Sequence, residues 1–155
     1  MAYGKCTTAL RPLCERLAAS PPDTRVVDGR AWDCLAAADA AVVASGTATL
    51  EAALIGTPFV LVYRLSALSH AIARRLVRVR WAGLPNLLLD EPWVTELIQG
   101  DCCPDAVAAA LTGLLEDPAR AARFREKCDK VRSLLGAGGA AARAAAAVAR
   151  EGGWG

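Results

Sequence analysis

Several features that mark common protein classes are missing from this chain of 155 residues. The formal net charge is only +2 and there is no long basic run, which argues against nucleic-acid binding. No apolar run approaches the ~18 residues that a membrane span needs. The first five residues have neither the apolar segment nor the cleavage site of a signal peptide. We therefore expect a cytoplasmic protein.

Metal-ligand spacing is also missing. The six cysteines are scattered without a CxxC pair, and the single histidine has no partner at ligand spacing. The sequence therefore predicts no metal site and requires no cofactor. We expect the cysteines to be small buried apolar residues in a reducing compartment.

The most informative segment is a run of small residues, Ser45-Gly46-Thr47, between two short apolar runs. It predicts a turn between a buried strand and a helix, with free backbone N–H groups where an anion binds well. Glu51 falls one turn into that helix, within reach of a sugar attached to a bound phosphate. This arrangement suits a nucleotide-sugar donor, although an ordinary strand-to-helix turn shows the same residues.

Alternation of short apolar runs with helical periodicity predicts parallel βαβ units and an α/β domain. The predicted strands are 24–28, 40–44 and 59–63, and the second is expected to be fully buried. Position 56 carries Gly and position 58 carries Pro, which predicts a left-handed end to the helix between the last two strands. The remaining predicted helices cover 3–19, 32–38, 65–79, 93–99, 104–116, 118–135 and 140–150, with a turn at 84–86.

We expect one partial domain over 1–155, with an α/β core at 24–80 and a loop and helical tail at 81–155. The predicted sheet has about three strands, whereas sheets commonly have ~4–6. A doubly wound nucleotide domain usually opens with its own strand and Gly-rich turn. Because the chain is predicted to start inside a helix, the domain is expected to be truncated on its N-terminal side.

Four groups of residues, in register, resemble the lipid-A-disaccharide synthase family. They are the segments 37–51, 63–64 with 72–77, 84–88, and 96–99. This family has the two-domain GT-B architecture, and the resemblance covers its C-terminal, Rossmann-like half. It implies transfer of 2,3-diacylglucosamine from UDP to 2,3-diacylglucosamine 1-phosphate in lipid A biosynthesis. The acceptor and the acidic catalytic groups belong to the other half, so we expect this chain alone to be inactive.

The resemblance also implies the roles of particular residues. Ser45, Gly46 and Thr47 would hold the UDP diphosphate and Glu51 the ribose hydroxyls, although a solvated Glu near a helix start is the plain alternative. Donor contacts are further implied for the residues that follow the next strand and for the predicted helix 93–99. These are Tyr63, Arg64, Glu96 and Gln99.

Asn86 matches a family position tied to activity, where its amide would orient a sugar hydroxyl. A loop-stabilising Asx turn is the common alternative for such a residue. Leu89-Asp90-Glu91 stands where the family often has Ala-Gly-Arg, which reverses a charge beside the expected site.

Other functions remain open at this point. The chain could be a non-catalytic UDP-binding or partner-binding fragment, or another GT-B protein such as a UDP-GlcNAc epimerase. The basic side of helix 65–79 would suit peripheral contact with the inner membrane, although a solvated face is the more common role of such charges. The family resemblance further implies a homodimer, with exposed apolar faces on the last helices.

Overall fold

The computed structural model describes residues 2–4, 25–65, 80–136 and 138–153. Its centre is a parallel sheet of β3 (Ala41–Ala44), β4 (Phe59–Tyr63) and β5 (Glu96–Ile98), in the order β3-β4-β5. Helices pack around this sheet and continue after it. The predicted fold class, a Rossmann-like parallel α/β domain followed by a helical tail, is confirmed.

The strand predicted at 24–28 forms as β2 (Arg25–Val27), but it does not join the central sheet. It pairs in parallel with β1 (Ala2–Gly4), and Tyr3 lies opposite Val26. The prediction that the chain starts inside a helix is therefore wrong for 2–4, because pairing with a distant strand decides the conformation of so short a segment. The rest of the helix predicted at 3–19, and the helix predicted at 65–79 from position 66 on, lie outside the described residues.

The βαβ unit around the Ser-Gly-Thr turn forms as predicted. Helix α1 (Ala31–Ala36) precedes β3, and α2 (Thr47–Ile55) connects β3 to β4. Helix α2 ends at Gly56, whose φ of 93° is the left-handed conformation expected there. An Ala at this position would be strained, and its Cβ would also lie 2.5 Å from Nη2 of Arg132.

The prediction that the strand at 40–44 is fully buried is wrong. Only Val43 of β3 is buried, whereas Val42 is 45% exposed. In the described sheet β3 has a neighbour on one side only, β4, with Ala41 opposite Phe59. Successive side chains of a strand point to opposite faces, so one face of this edge strand contacts the core and the other does not.

The helix predicted at 93–99 is also wrong. Glu96–Ile98 is the strand β5, which pairs with Leu61–Tyr63 of β4, and a 3₁₀ turn follows at Gln99–Asp101. The third strand of the sheet therefore lies in the part of the chain that was expected to form loop and helical tail. Short apolar segments fit both periodicities, and here the free edge of β4 selects the strand.

The turn predicted at 84–86 is instead the start of a short helix, α3 (Leu84–Leu89), with Pro85 in its first turn. The helix ends at Asp90, which has a left-handed φ of 51°. The next residue, Glu91, pairs with Lys127 of a later helix. The reversed charge at Glu91 is thus engaged by Lys127.

Three further helices follow β5, close to their predicted bounds. These are α4 (Pro104–Leu115), α5 (Pro118–Leu135) and α6 (Ala140–Glu151). The side chain of Asp117 caps α5 by accepting a bond of 3.0 Å from the N–H of Arg120. On α4, Leu114 is buried, whereas Leu115 is 56% exposed and lies off the packed face of the helix.

The core lies between β4 and helices α2 and α5. Phe59 and Phe124 meet edge to face, with ring centroids 5.4 Å apart, and Trp93 packs on Phe124 at 4.8 Å. The expectation of buried cysteines is wrong for Cys103, which is exposed, while Cys34 and Cys102 are partly buried. Cys128 is fully buried beside the aromatic rings, as expected for a small apolar residue. Burial raises the pKa of its thiol to about 11. No helix among the described residues has the length and apolar character required to cross a membrane.

Candidate functional site

The carboxyl ends of the three central strands lie at one edge of the sheet. Ala44 is opposite Val62, and Tyr63 is opposite Ile98. The residues that follow the strands, Ser45, Arg64 and Gln99, therefore emerge at this common edge. Open parallel sheets bind ligands outside the carboxyl ends of their strands. The structure thus brings the predicted donor residues of three separate segments to one edge.

The turn after β3 presents an uncapped helix N-terminus. Gly46 is the N-cap of α2, with a φ of 143° that favours glycine, and no side chain of the described residues hydrogen-bonds to the cap. The first turn of α2 contains no acidic residue. Gly46 and Thr47 are exposed. The positive end of the helix dipole and its backbone N–H groups are therefore open to an anion.

Thr49 stabilises this turn from inside. Its side chain is fully buried, and its hydroxyl donates a bond of 2.7 Å to the carbonyl of Gly46. The backbone N–H of Ser45 donates to the carbonyl of Val62 at 3.0 Å, which extends the β3–β4 pairing by one residue. The hydroxyl of Ser45 donates to the carbonyl of Ala82 at 3.2 Å. The turn is thus fixed on both sides before a ligand binds.

Glu51 lies on α2 past its first turn, and its carboxylate accepts a bond of 3.0 Å from the indole N–H of Trp32. Trp32 belongs to α1 and is 56% exposed. The prediction assigned no role to Trp32, because its contact with Glu51 joins residues 19 apart and no local spacing signals it. The indole restricts the carboxylate and leaves its second oxygen available.

Tyr63 ends β4 and is partly buried, while Arg64 is exposed beyond it. Gln99 holds the residue after Arg64. Its side-chain oxygen accepts a bond of 2.6 Å from the N–H of Leu65, and its amide group donates to the carbonyl of Leu65 at 3.2 Å. Gln99 adopts a left-handed φ of 53° in this arrangement. The amide of Gln99 therefore fixes the chain that carries Tyr63 and Arg64.

Glu96 and Asn86 form a second internal network. The Glu96 carboxylate accepts bonds from the backbone N–H groups of Ala82 at 2.8 Å and Gly83 at 2.9 Å, and from the Asn86 amide at 2.8 Å. Asn86 is fully buried and also bonds to both backbone groups of Val94, at 2.8 and 2.9 Å. Glu96 and Gln99 do not lie on the helix predicted at 93–99, because β5 carries Glu96 and a 3₁₀ turn carries Gln99.

A cavity of about 220 Å³ lies elsewhere, among Phe59, Trp93, Thr95, Leu114 and the face of α5 that carries Arg120. Phe59 begins β4 and Thr95 precedes β5. The cavity is therefore at the amino ends of the strands, whereas Ser45 lies at their carboxyl ends. Two cationic side chains that line the cavity already form ion pairs: Lys127 pairs with Glu91, and Arg123 pairs with Asp117. It is separate from the candidate donor site.

The fold and this edge define the class of the protein: a Rossmann-like α/β domain with an open helix N-terminus at the carboxyl end of its sheet. Comparison with known sequences gives the family. The model of the family described as lipid-A-disaccharide synthetase matches residues 14–149, most of the chain. The chain belongs to this family.

Curated relatives agree with this assignment. A lipid-A-disaccharide synthase of Syntrophus aciditrophicus is 46% identical over 127 residues, which cover 82% of this chain and 33% of the relative. The enzyme of Geobacter sulfurreducens is 41% identical over 132 residues, 85% of this chain and 34% of the relative. The enzyme of Pectobacterium carotovorum subsp. carotovorum is 47% identical over 106 residues, 67% of this chain and 28% of the relative. The chain thus spans about a third of the length of these curated relatives.

Proposed function

We propose that this chain is the donor-binding part of a lipid-A-disaccharide synthase, a hexosyltransferase. In the whole protein it would bind UDP-2,3-diacylglucosamine, and the sugar would pass to 2,3-diacylglucosamine 1-phosphate in lipid A biosynthesis. The observation that carries the proposal is the uncapped, exposed N-terminus of α2 at the carboxyl edge of the sheet. Family membership supports a nucleotide-sugar donor, and its identity as UDP-2,3-diacylglucosamine is part of the proposal.

The proposed division of work follows the geometry. The backbone N–H groups of Gly46 and Thr47 would bind the diphosphate. The Ser45 side chain would hold the turn in place, because its hydroxyl donates its one proton to the Ala82 carbonyl. Arg64, exposed at the end of β4, would add positive charge as UDP leaves. Glu51, oriented by Trp32, would accept hydrogen bonds from the ribose. The general base that activates the acceptor hydroxyl would come from the part of the protein that holds the acceptor.

Direct contacts of Glu96, Gln99 and Asn86 with the donor stay predictions. Within the described residues, the side-chain hydrogen bonds of all three go to other parts of the chain, and Asn86 is fully buried. These bonds favour an indirect role in which the three side chains hold the segments around the donor. Such a role is compatible with a strong effect on turnover, because a misplacement of ~1 Å can cost ~10²-fold in rate.

Location and assembly follow from the same proposal. The enzyme would work at the cytoplasmic side of the inner membrane, in peripheral contact with it. We also propose self-association through apolar residues of the last helices, of which Leu134 is 62% and Val148 61% exposed. Sedimentation of the wild type and a Leu134→Gln/Val148→Gln variant tests this. An unchanged mass for the variant, or a monomeric wild type, would contradict it.

Binding of UDP to the isolated chain tests the donor site. A diphosphate on a helix N-terminus with ribose contacts supports ~4–6 kcal/mol, which is millimolar to tens-of-micromolar affinity. We expect Glu51→Ala to weaken UDP binding several-fold and to leave inorganic diphosphate nearly unchanged, since only UDP carries the ribose. Glu126→Gln, an exposed position on α5, is the control. Equal losses for both ligands in calorimetry would exclude the ribose role.

A further inference from the structure

The Glu96 carboxylate gathers three N–H donors from outside its own strand. One oxygen accepts from Gly83 and from the Asn86 side chain, and the other accepts from Ala82. All three distances lie between 2.8 and 2.9 Å. Hydrogen bonds to an ionised acceptor are about twice as strong as neutral ones. The carboxylate therefore fixes the 82–83 backbone firmly against β5.

Ala82 connects this carboxylate to the turn Ser45-Gly46-Thr47, which is called the donor turn below. Its N–H donates to Glu96, and its carbonyl accepts the Ser45 hydroxyl at 3.2 Å. Ser45 and Glu96 thus bind one residue from two sides, although Ser45 follows β3, Glu96 begins β5, and the two side chains do not bond each other. The direction of the Ser45 hydroxyl depends on where the Ala82 carbonyl is held.

Asn86 supplies the rigid end of the chain of bonds. It is fully buried, and its amide is fixed by both backbone groups of Val94, itself buried. The remaining amide N–H can therefore point only at Glu96. A side chain held in this way restricts the rotamer of its partner. The hydrogen bonds therefore connect the core to the donor turn in the order Asn86, Glu96, Ala82, Ser45.

We propose that Glu96 is a positioning residue of the donor site, acting on Ser45 through the Ala82 backbone, with Asn86 fixing Glu96 in turn. This inference rests on the proposed function and adds to it the means by which the turn at Ser45 is held in place for the diphosphate. The chemistry requires a carboxylate. A glutamine can accept on only one oxygen, and its NH₂ group would face the N–H of Ala82, donor against donor.

Binding of UDP in a double-mutant cycle tests the coupling. The four proteins are the wild type, Ser45→Ala, Glu96→Gln and the double variant, with Glu126→Gln as an exposed control. We expect Glu96→Gln to weaken UDP binding about threefold to tenfold, as loss of an aligned hydrogen bond does. The double variant should bind UDP within about twofold of Ser45→Ala alone, because both changes disturb the same hydrogen bond, between the Ser45 hydroxyl and the Ala82 carbonyl. Independent, multiplying losses would overturn the proposal.

A second measurement needs no ligand. In Glu96→Gln, the NMR resonances of Ser45 should shift together with those of Ala82, although the hydrogen bonds of Glu96 go to Ala82, Gly83 and Asn86. Unmoved Ser45 resonances in a folded Glu96→Gln protein would overturn the positioning role, whatever the affinity for UDP. If the wild type fails to bind UDP while these resonances shift together, the proposed function fails and the positioning through Ala82 stands. Should Glu96→Gln not fold, the same coupling is measured from the other end, since Ser45→Ala should shift the Ala82 and Gly83 amide resonances.

Discussion

At the scale of single residues, polar side chains predicted to contact a ligand can instead form hydrogen bonds within the chain. Asn86 is the clearest case: the sequence places an amide next to a proline, which is typical of a turn, and the structure places it in α3 with no exposed surface. Its three hydrogen bonds join α3 to Val94 and Glu96. A family resemblance can identify such a position without showing how it acts.

We predict that Asn86→Ala lowers both the stability and the affinity for UDP. Removal of the amide leaves the N–H and carbonyl of buried Val94 without partners, and each unsatisfied group costs ~1–3 kcal/mol. Urea unfolding measures the first effect and calorimetry the second. Thr112→Ala, at an exposed position on α4, is the control. Wild-type stability with lost turnover in a complete enzyme would instead favour direct contact with the sugar.

At the scale of elements, the local pattern located the segments, and packing decided the conformation of the short ones. Helices α2, α4 and α5 carry signals within their own sequence, such as a C-terminal Gly or a Pro in the first turn. The segment 96–98 carries none, and it becomes a strand because the edge of β4 is free to pair with it. The segment 84–89 becomes a helix although its Leu-Pro-Asn sequence also fits a turn.

The contact between the 82–83 loop and the sheet gives a prediction at this scale. A Cβ at Gly83 would lie 2.7 Å from the buried Leu61 side chain and 3.0 Å from the Glu96 carboxylate. We expect Gly83→Ala to destabilise the protein by ~1–3 kcal/mol, as overpacking does, and to weaken UDP binding. Gly100→Ala, where a Cβ meets nothing within 4 Å, should be close to neutral. Equal unfolding midpoints in urea for the two variants would contradict the close contact.

At the scale of the whole molecule, the chain is proposed to supply the donor side of a reaction site. The described residues include the sheet edge proposed to bind the donor, and the chain covers about a third of the relatives' length. Catalysis of glycosyl transfer needs the acceptor and a base held against the donor within hydrogen-bond reach. Under the proposed function, this chain alone is therefore expected to bind the donor without catalysing transfer.

We predict that the purified chain alone releases no UDP from the donor when both diacylated substrates are present. The donor would bind, but nothing would hold the acceptor hydroxyl in position for attack. A coupled assay for UDP measures this, with a full-length family member as the positive control. Turnover near ordinary enzyme rates, ~1–10³ s⁻¹, would show that this chain contains a complete active site.

The sequence by itself determined the parallel α/β class, the strand–turn–helix at residues 41–55 and the family. Each depends on local residue chemistry: apolar runs, small residues at the turn, and a glycine that permits the left-handed end of α2. Tertiary structure alone decided that 2–4 and 96–98 are strands, that Val42 is exposed and that Trp32 bonds to Glu51. The physical reason is that strand pairing, burial and side-chain bonds join residues far apart in sequence, where no local spacing records them.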